Sequence, residues 1–321
     1  MTLQERLDGE DGKQVLEETQ EKKRTRLSEF RFALHLLRLN PIVLVGAIIS
    51  IVTIILALFA PYLVNENLSR EQFLSLRLCW NNPITNWGVV NIKSCPNPIY
   101  PLGTDAYGRN LLDMIILAIP VDLEIALSVV ASAVLIGVIC GSLGGYIGGI
   151  TDEIILRITD IFLAIPGILL AIVLIVVLGR SLPTLTLAVL ITWWPYYVRL
   201  MRSQVISEKE KPYVERLRAM GANPPRILFF HIARNSIYPV MVQATLDIGS
   251  VILIVSALTF IGLTPNPLLP ELGNLSSQGI QYIFTAPWLI VFPGLTILVI
   301  SLGFNLLGDG IRDILDPRLR R

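Results

Sequence analysis

Residues 40–60 read Asn-Pro-Ile-Val-Leu-Val-Gly-Ala-Ile-Ile-Ser-Ile-Val-Thr-Ile-Ile-Leu-Ala-Leu-Phe-Ala, an apolar run from Asn40-Pro41 to Ala60 without a single charge. About 20 residues at ~1.5 Å rise each cover ~30 Å, the hydrocarbon thickness of a bilayer. Asn caps free amides at a helix start and Pro suits the first helical position, so the sequence itself marks the entry point. The run exceeds a signal-peptide core and follows a 40-residue segment containing many charges, so it reads as an uncleaved transmembrane helix.

Composition extends that reading to the whole chain. Of the 321 residues, 53% are hydrophobic and 16% charged, against ~45–50% and ~25% in soluble domains. Mean hydropathy is +0.64. A single soluble core would leave large apolar patches in water, so lipid is the matching solvent. The net charge of +1 lacks the basic excess that a phosphate backbone calls for, which excludes nucleic acid as a partner. Three cysteines are too few for a disulfide scaffold and show no four-ligand metal spacing.

Further apolar spans run from about Val121 to Tyr146, Ile154 to Leu178, Leu182 to Val198, Tyr238 to Leu263 and Ala286 to Leu307, giving an all-α integral membrane chain of six transmembrane helices. Pro166-Gly167, Pro293-Gly294 and the series Gly141, Gly144, Gly145, Gly148, Gly149 are tolerated in membrane helices, with close helix packing as the favoured reason. Lys and Arg are retained on the cytoplasmic side. Most of the 26 basic residues fall in 1–40, in the loop after the fourth span and in the C-terminal tail, so both termini are expected in the cytoplasm. The expected division is a tail with an amphipathic interfacial helix in 1–40, the first span in 41–60 and an extracellular loop in 61–120. A five-helix core follows in 121–308, holding a cytoplasmic loop at 199–239, and a tail in 309–321. Within the first segment, Leu27 to Leu39 places Phe30, Ala33, Leu34 and Leu37 at helical spacing, as a helix lying on the inner leaflet would.

The loop from Arg199 to Pro239 is longer than a connection needs. Lys211-Pro212 opens a short helix, Gly221 closes it and Pro224-Pro225 forbid continuation. Tyr213, Leu217 and Met220 share one face at i, i+4, i+7, an apolar ridge suited to a partner groove, with Arg216 and Arg218 beside it. Each ridge side chain would contribute ~1.5–3 kcal/mol if fully buried, before the costs of association. A helix packed on lipid or on the protein's own loop remains the alternative.

Several separated motifs resemble the permease subunits of ATP-binding cassette importers, in their dipeptide and oligopeptide branch. Tyr213 to Ala222, reading Tyr-Val-Glu-Arg-Leu-Arg-Ala-Met-Gly-Ala, with Arg226 to Asn235, is similar to that family's cytoplasmic coupling motif. Pro101 to Asn110, Gly144 to Gly149 with Asp152 to Asp160, and Asn305 to Arg318 match further family segments in order and spacing. Two departures stand out: the usual Glu-Ala-Ala is Glu215-Arg216-Leu217, and the usual Leu-Pro-Asn is Ala233-Arg234-Asn235. The resemblance implies the type I importer (MetI-like) permease fold, with two different permease chains forming the channel. It also implies two ATPase subunits that bind ATP and Mg, and an extracellular substrate-binding protein. The coupling residues it implies are Tyr213, Glu215, Arg216, Leu217, Arg218, Ala219, Met220, Gly221 and Ala222, which would fit a groove of the ATPase and drive alternating access. No cofactor is expected on this chain: Gly12-Lys13-Gln14 fails the phosphate-loop pattern, so hydrolysis belongs to other subunits. The expected location is a prokaryotic cell membrane, and the cargo is a peptide, an oligosaccharide or nickel. A stand-alone channel or secondary carrier is the alternative, distinguished by transport without any ATPase.

Other residues carry narrower expectations. Cys79 and Cys95 lie on the expected outer side, where oxidation is permitted; a disulfide there would stabilise an outer cap by ~3 kcal/mol, with Trp80 and Trp87 beside it, and two free thiols are the alternative. Cys140 reads as a small core residue. Asp247, inside the fifth span, is the candidate translocation-path residue, with a carboxylate paired to a basic group on a neighbouring helix as the alternative. Asp122 and Glu124 are read as solvated at a span end, and Arg157 with Asp160 as a helix-surface pair. Trp193, Trp194, Tyr196 and Tyr197 form an inner aromatic belt. His35 and His231 have no ligand-spaced neighbours, which argues against metal binding.

Overall fold

A computed structural model describes residues 41–64 and 101–315, and every regular element among them is helical. The expected Leu27–Leu39 helix, the expected Cys79–Cys95 pair with Trp80 and Trp87, and residues 316–321 of the expected 309–321 tail lie outside the described residues. Helix α1 is Pro41–Leu63, so it continues past Ala60. Helix α2 is Leu111–Ile147, opened by Asn110, whose side chain accepts from the Leu112 amide at 3.2 Å. Then come α3 Gly149–Leu163, α4 Gly167–Leu178 and α5 Leu182–Lys209, the last capped by Ser181. The short α6, Pro212–Ala219, is followed by two helical turns, Pro224–Arg226 and Ile227–Ile232, that run into α7, Ala233–Leu258. A wide turn at Thr259–Leu263 ends that rod, and α8 Leu272–Gln278 and α9 Trp288–Leu315 complete the chain.

Helix α2 is the centre of the bundle. It lies along α5 and also touches α1 and α7, while α9 packs on α7 and α1. Lipid-soluble helices gain little from burying apolar surface against one another, so close backbone approach matters more. The α2–α5 seam meets that demand with glycine. A β-carbon at Gly141 would stand 2.6 Å from the Val198 carbonyl oxygen, and one at Gly145 would stand 2.9 Å from that of Arg202. Gly148 and Gly149 do something else: both have positive φ (73° and 57°) with open space around them, and they form the turn from α2 into α3. The glycine series is therefore part packing seam and part corner.

Helices α7 and α9 use the same device at Gly249, where a β-carbon would lie 2.7 Å from the Ser301 carbonyl oxygen; the Ser301 hydroxyl donates to the Gly249 carbonyl at 2.8 Å. Gly249→Val forces these backbones apart and is expected to cost ~1–3 kcal/mol by overpacking, against ~0.5–1.5 kcal/mol for losing the hydrogen bond in Ser301→Ala. Thermal unfolding of the purified protein in detergent ranks the two; equal midpoints would mean the helices are not in backbone contact.

Several sequence boundaries change: α2 takes 111–120 from the expected extracellular loop, α5 and α7 take 199–209 and 233–239 from the expected cytoplasmic loop, and α9 takes 309–315 from the expected tail. Helix α2 begins at Leu111 and runs through Pro120, so Asp122 sits inside a long helix and is 1% exposed; the expectation of a solvated span end holds for the exposed Glu124 only. The span read as Ile154 to Leu178 is two helices bent by 82°. Pro166 has no amide for the helix before it and takes an extended ψ of 122°. Helix α4, at 12 residues, is ~18 Å long and shorter than the hydrocarbon by itself. Among the described residues four helices are long and apolar enough to cross a membrane, five if the bent pair is one span. Leu182–Val198 is helical within α5, whose second half carries Arg199, Arg202, Glu208 and Lys209.

Candidate functional site: a braced loop and an intramembrane pocket

Basic residues gather at the end of the bundle where α5 stops and α7 starts, and α6 sits between them. Lys211 precedes Pro212 at the helix start. At the other end Gly221 has φ of 77°, a conformation that suits glycine, and its amide donates to the Arg218 carbonyl at 3.0 Å while that of Ala222 donates to Leu217 at 3.1 Å. The helix leans on the Ile227–Ile232 turn, whose Ile227, Leu228 and Ile232 are buried. Val214 is fully buried, and Tyr213, Leu217 and Ala222 are half-buried against the protein's own core. Glu215, Arg216, Arg218, Ala219 and Gly221 are exposed, and Met220 is 74% exposed.

The expected ridge of Tyr213, Leu217 and Met220 therefore does not exist as one free surface. A two-turn helix gains its stability from packing, so the i, i+4 pair turns inward. Met220 stands beyond the helix end, with non-helical ψ of 3°, and leaves that face. Met220 is left exposed, as are Phe229 and Phe230 of the following turn, which are 48% and 71% exposed. Phe229 and Phe230, together with Pro225, Arg226, His231 and Arg234, line a surface groove of about 680 Å³.

Behind this surface is a hub that the sequence did not disclose. Glu208, at the end of α5 and beyond its apolar half, is 7% exposed. Its Oε1 accepts from the Tyr213 hydroxyl at 2.9 Å and from Asn235 Nδ2 at 3.1 Å, and Lys211 forms an ion pair with it. Burial works against the charged carboxylate, but the hydrogen bonds from Lys211, Tyr213 and Asn235 outweigh it and hold Glu208 below its ordinary range. One carboxylate thus joins α5, α6 and α7. The Lys209 ammonium adds a bond to the Tyr146 carbonyl at the end of α2, 2.7 Å long. Glu208-x-x-Lys211 is a weak i, i+3 signal, and Asn235 figured only inside the family motif.

Charged side chains on α3 complete this end. Arg202 grips Asp152 through Nε and Nη2, both at 2.5 Å. Arg157 pairs with Glu153 at 2.6 Å, and Asp160 pairs with Arg199 of α5. The expected Arg157–Asp160 pair is replaced because i, i+4 is the better helical spacing toward Glu153 and because α5 presents its own arginine to Asp160.

Asp247 of α7 lies deeper, 9% exposed, at a pocket of about 580 Å³ between α4, α5 and α7. Its Oδ2 accepts from the Tyr197 hydroxyl at 2.6 Å and its Oδ1 from Gln243 Nε2 at 3.0 Å. None of the ion pairs among the described residues includes it. Its partners among the described residues are neutral. Of the residues expected to form an inner aromatic belt, Trp193, Tyr196 and Tyr197 line this pocket, and Tyr197 is buried.

The opposite end is closed by residues 101–110. Asp105 Oδ1 accepts from the amides of Tyr107 and Arg109 at 2.9 and 2.8 Å, and Oδ2 from Arg109 Nε at 2.6 Å. Arg109 Nη1 donates to the Leu268 carbonyl at 3.0 Å, and the Trp288 indole donates to the Thr104 carbonyl at 3.2 Å. Asp122 and Glu271 together cap α8, accepting from the amides of Leu272, Gly273 and Asn274. The groups of three or more His, Cys, Asp or Glu that could hold a metal number none among the described residues.

A family model described as the binding-protein-dependent transport system inner membrane component matches residues 133–321. The dipeptide transport system permease protein DppC of Alkalihalophilus pseudofirmus is 37% identical over 296 residues, 92% of this chain and 92% of that protein. The protein of the same name from Escherichia coli is 39% identical over 287 residues, 89% of this chain and 92% of the relative. The oligopeptide transport system permease protein OppC of Bacillus subtilis is 33% identical over 295 residues, 92% of each.

Proposed function

Because the chain belongs to the inner-membrane components of binding-protein-dependent transport systems, we propose that it conducts short peptides and is moved by the braced loop between α5 and α7. It is a multi-pass membrane permease subunit of an ATP-driven importer, and not an enzyme. Relatives named for dipeptide and oligopeptide transport, aligned over most of its length, support the cargo. Its partners are a second, different permease, two ATPase subunits that hold ATP and Mg, and an external binding protein; this chain holds no cofactor of its own. It crosses the bilayer six times, with α3–α4 as one broken crossing and α5 as another: 28 residues give α5 ~42 Å, enough for a crossing and a basic extension into the cytoplasm. Both termini then share the basic, cytoplasmic side.

The observation that carries the coupling role is the exposure of Met220 and Phe230 at the end of the bundle where basic residues gather and where Glu208 joins α5, α6 and α7. Exposed large apolar groups beside basic residues mark a protein interface. An ATPase that holds this surface differently in two nucleotide states biases the bundle between inward and outward openings. Coupling residues Glu215, Arg216, Arg218 and Ala219 flank the contact, and Tyr213, Leu217 and Ala222 hold the helix to the bundle.

Met220→Asp combined with Phe230→Asp leaves the core untouched and is expected to lower ATPase co-purification about fivefold, with peptide uptake falling in parallel. Wild-type values for both would remove the loop from the mechanism.

A further inference from the structure

We propose that Asp247 and its aromatic neighbours form an ammonium subsite, which receives the positively charged amino end of a peptide as it crosses the membrane. This deepens the reading of the chain as a peptide permease and rests on it. A buried carboxylate at membrane depth is costly unless it meets a cation or a set of strong donors. Here Tyr197 and Gln243 each donate one hydrogen bond, at 2.6 and 3.0 Å, and Trp193 is a further hydrogen-bonding neighbour. These orient the carboxylate without neutralising it. An ionised carboxylate has about four lone-pair positions, so an acceptor position remains for an incoming donor.

The surroundings select the kind of cation. Trp193, Tyr196 and Tyr197 line the same pocket, and aromatic faces attract organic ammonium groups. A hard divalent ion would require several oxygen ligands, whereas Asp247 is the single carboxylate of this pocket and no metal-type cluster occurs among the described residues. A volume of about 580 Å³ exceeds what an ammonium group fills and admits a residue or two of peptide. Ser250 and Gln243 add polar atoms for the peptide bond beyond it. One carboxylate with neutral donors gives a weak site, which suits a path that must release its cargo.

The external binding protein also selects peptides, so the test leaves it out. Saturation-transfer NMR on the assembled importer without binding protein uses Ala-Ala and N-acetyl-Ala-Ala as probes. A saturable Ala-Ala signal is expected, weakened about tenfold by acetylation of the probe or by Asp247→Asn, and kept by Asp247→Glu. Should Asp247→Asn fail to assemble, Tyr196→Ala, at a half-open position 62% exposed, is expected to weaken the same signal. Equal signals from the two probes, no signal from Ala-Ala, or wild-type binding in both variants would overturn the proposal; the last two are the results if a basic residue of the second permease fills the pocket. The parent reading fails separately, when wild-type proteoliposomes with binding protein and ATP accumulate no peptide.

Discussion

Glu208→Ala is expected to reduce peptide uptake about twentyfold in proteoliposomes while leaving the protein inserted and the ATPases bound. The carboxylate is the common acceptor for Tyr213 on α6 and Asn235 on α7, and it is the ion-pair partner of Lys211. Removing it leaves Tyr213 and Lys211 without this acceptor and takes away the side-chain link of α6 to α5, while the 3.3 Å bond from Asn235 Nδ2 to the Tyr213 hydroxyl still joins α6 to α7. The exposed Met220 and Phe230 are untouched, so docking survives. What is lost is transmission, because a loop no longer held to α5 passes less differential force to the bundle. ATP hydrolysis should then cease to respond to the loaded binding protein. Hydrogen bonds to a charged, shielded group are worth ~1.5–3 kcal/mol each, and ~1.4 kcal/mol is a factor of ten, so the size of the effect follows from one bond. Glu208→Gln keeps an acceptor oxygen for Tyr213 and Asn235 but loses the pair with Lys211, and should fall between. Equal uptake in all three proteins would show that the hub is ornamental.

The same carboxyl predicts a pH dependence. Its folded pKa lies below the ordinary value, so the stability it contributes is fully present above the unfolded value of ~4.3. It is lost as pH falls through the lower folded value. Hydrogen exchange of α6 amides, corrected for intrinsic rates, should be level between neutral pH and ~5 and rise below ~4. A rise centred near neutrality would assign the bracing to another group.

The membrane helices were legible because lipid imposes length and apolarity residue by residue: Asn40-Pro41 marks the start of α1, and the two ends of α6 follow from Pro212 and Gly221. What escaped depends on distances through space. Pro166-Gly167 reads as tolerated inside one span, whereas the chain bends there by 82°. Asp122 stands at the edge of an apolar span that begins at about Val121, whereas the helix begins at Leu111 and carries Pro120 inside it. Glu208 and Asn235 are joined across the loop they enclose. Periodicity put Tyr213, Leu217 and Met220 on one face, but it does not say whether that face meets the molecule's own core or a partner. The neutral company of Asp247 likewise appears only once α5 is laid beside α7.

Asp105→Ala carries the largest expected loss of stability, ~3–5 kcal/mol, because it strands a buried charge. Arg109 and Asp105 have side chains only 7% and 0% exposed. Asp105 closes its own turn by accepting two backbone amides and then neutralises the guanidinium it has brought in. The guanidinium in turn holds the Leu268 carbonyl, so this pair joins the start of α2 to the segment before α8. Without the carboxylate, Arg109 retains the Leu268 carbonyl and the Tyr107 ring, 5.4 Å from its guanidinium carbon, and its Nη2 already has no hydrogen-bond partner. A surface pair would lose at most ~1 kcal/mol on the same change, so thermal unfolding in nanodiscs separates the cases. Arg109→Met placed on Asp105→Ala removes the stranded charge and should recover part of the loss, a sign reversal that independent sites do not give. If the double variant is simply the sum of the two single ones, the turn is open to water and the pair is not the clasp of this end of the bundle.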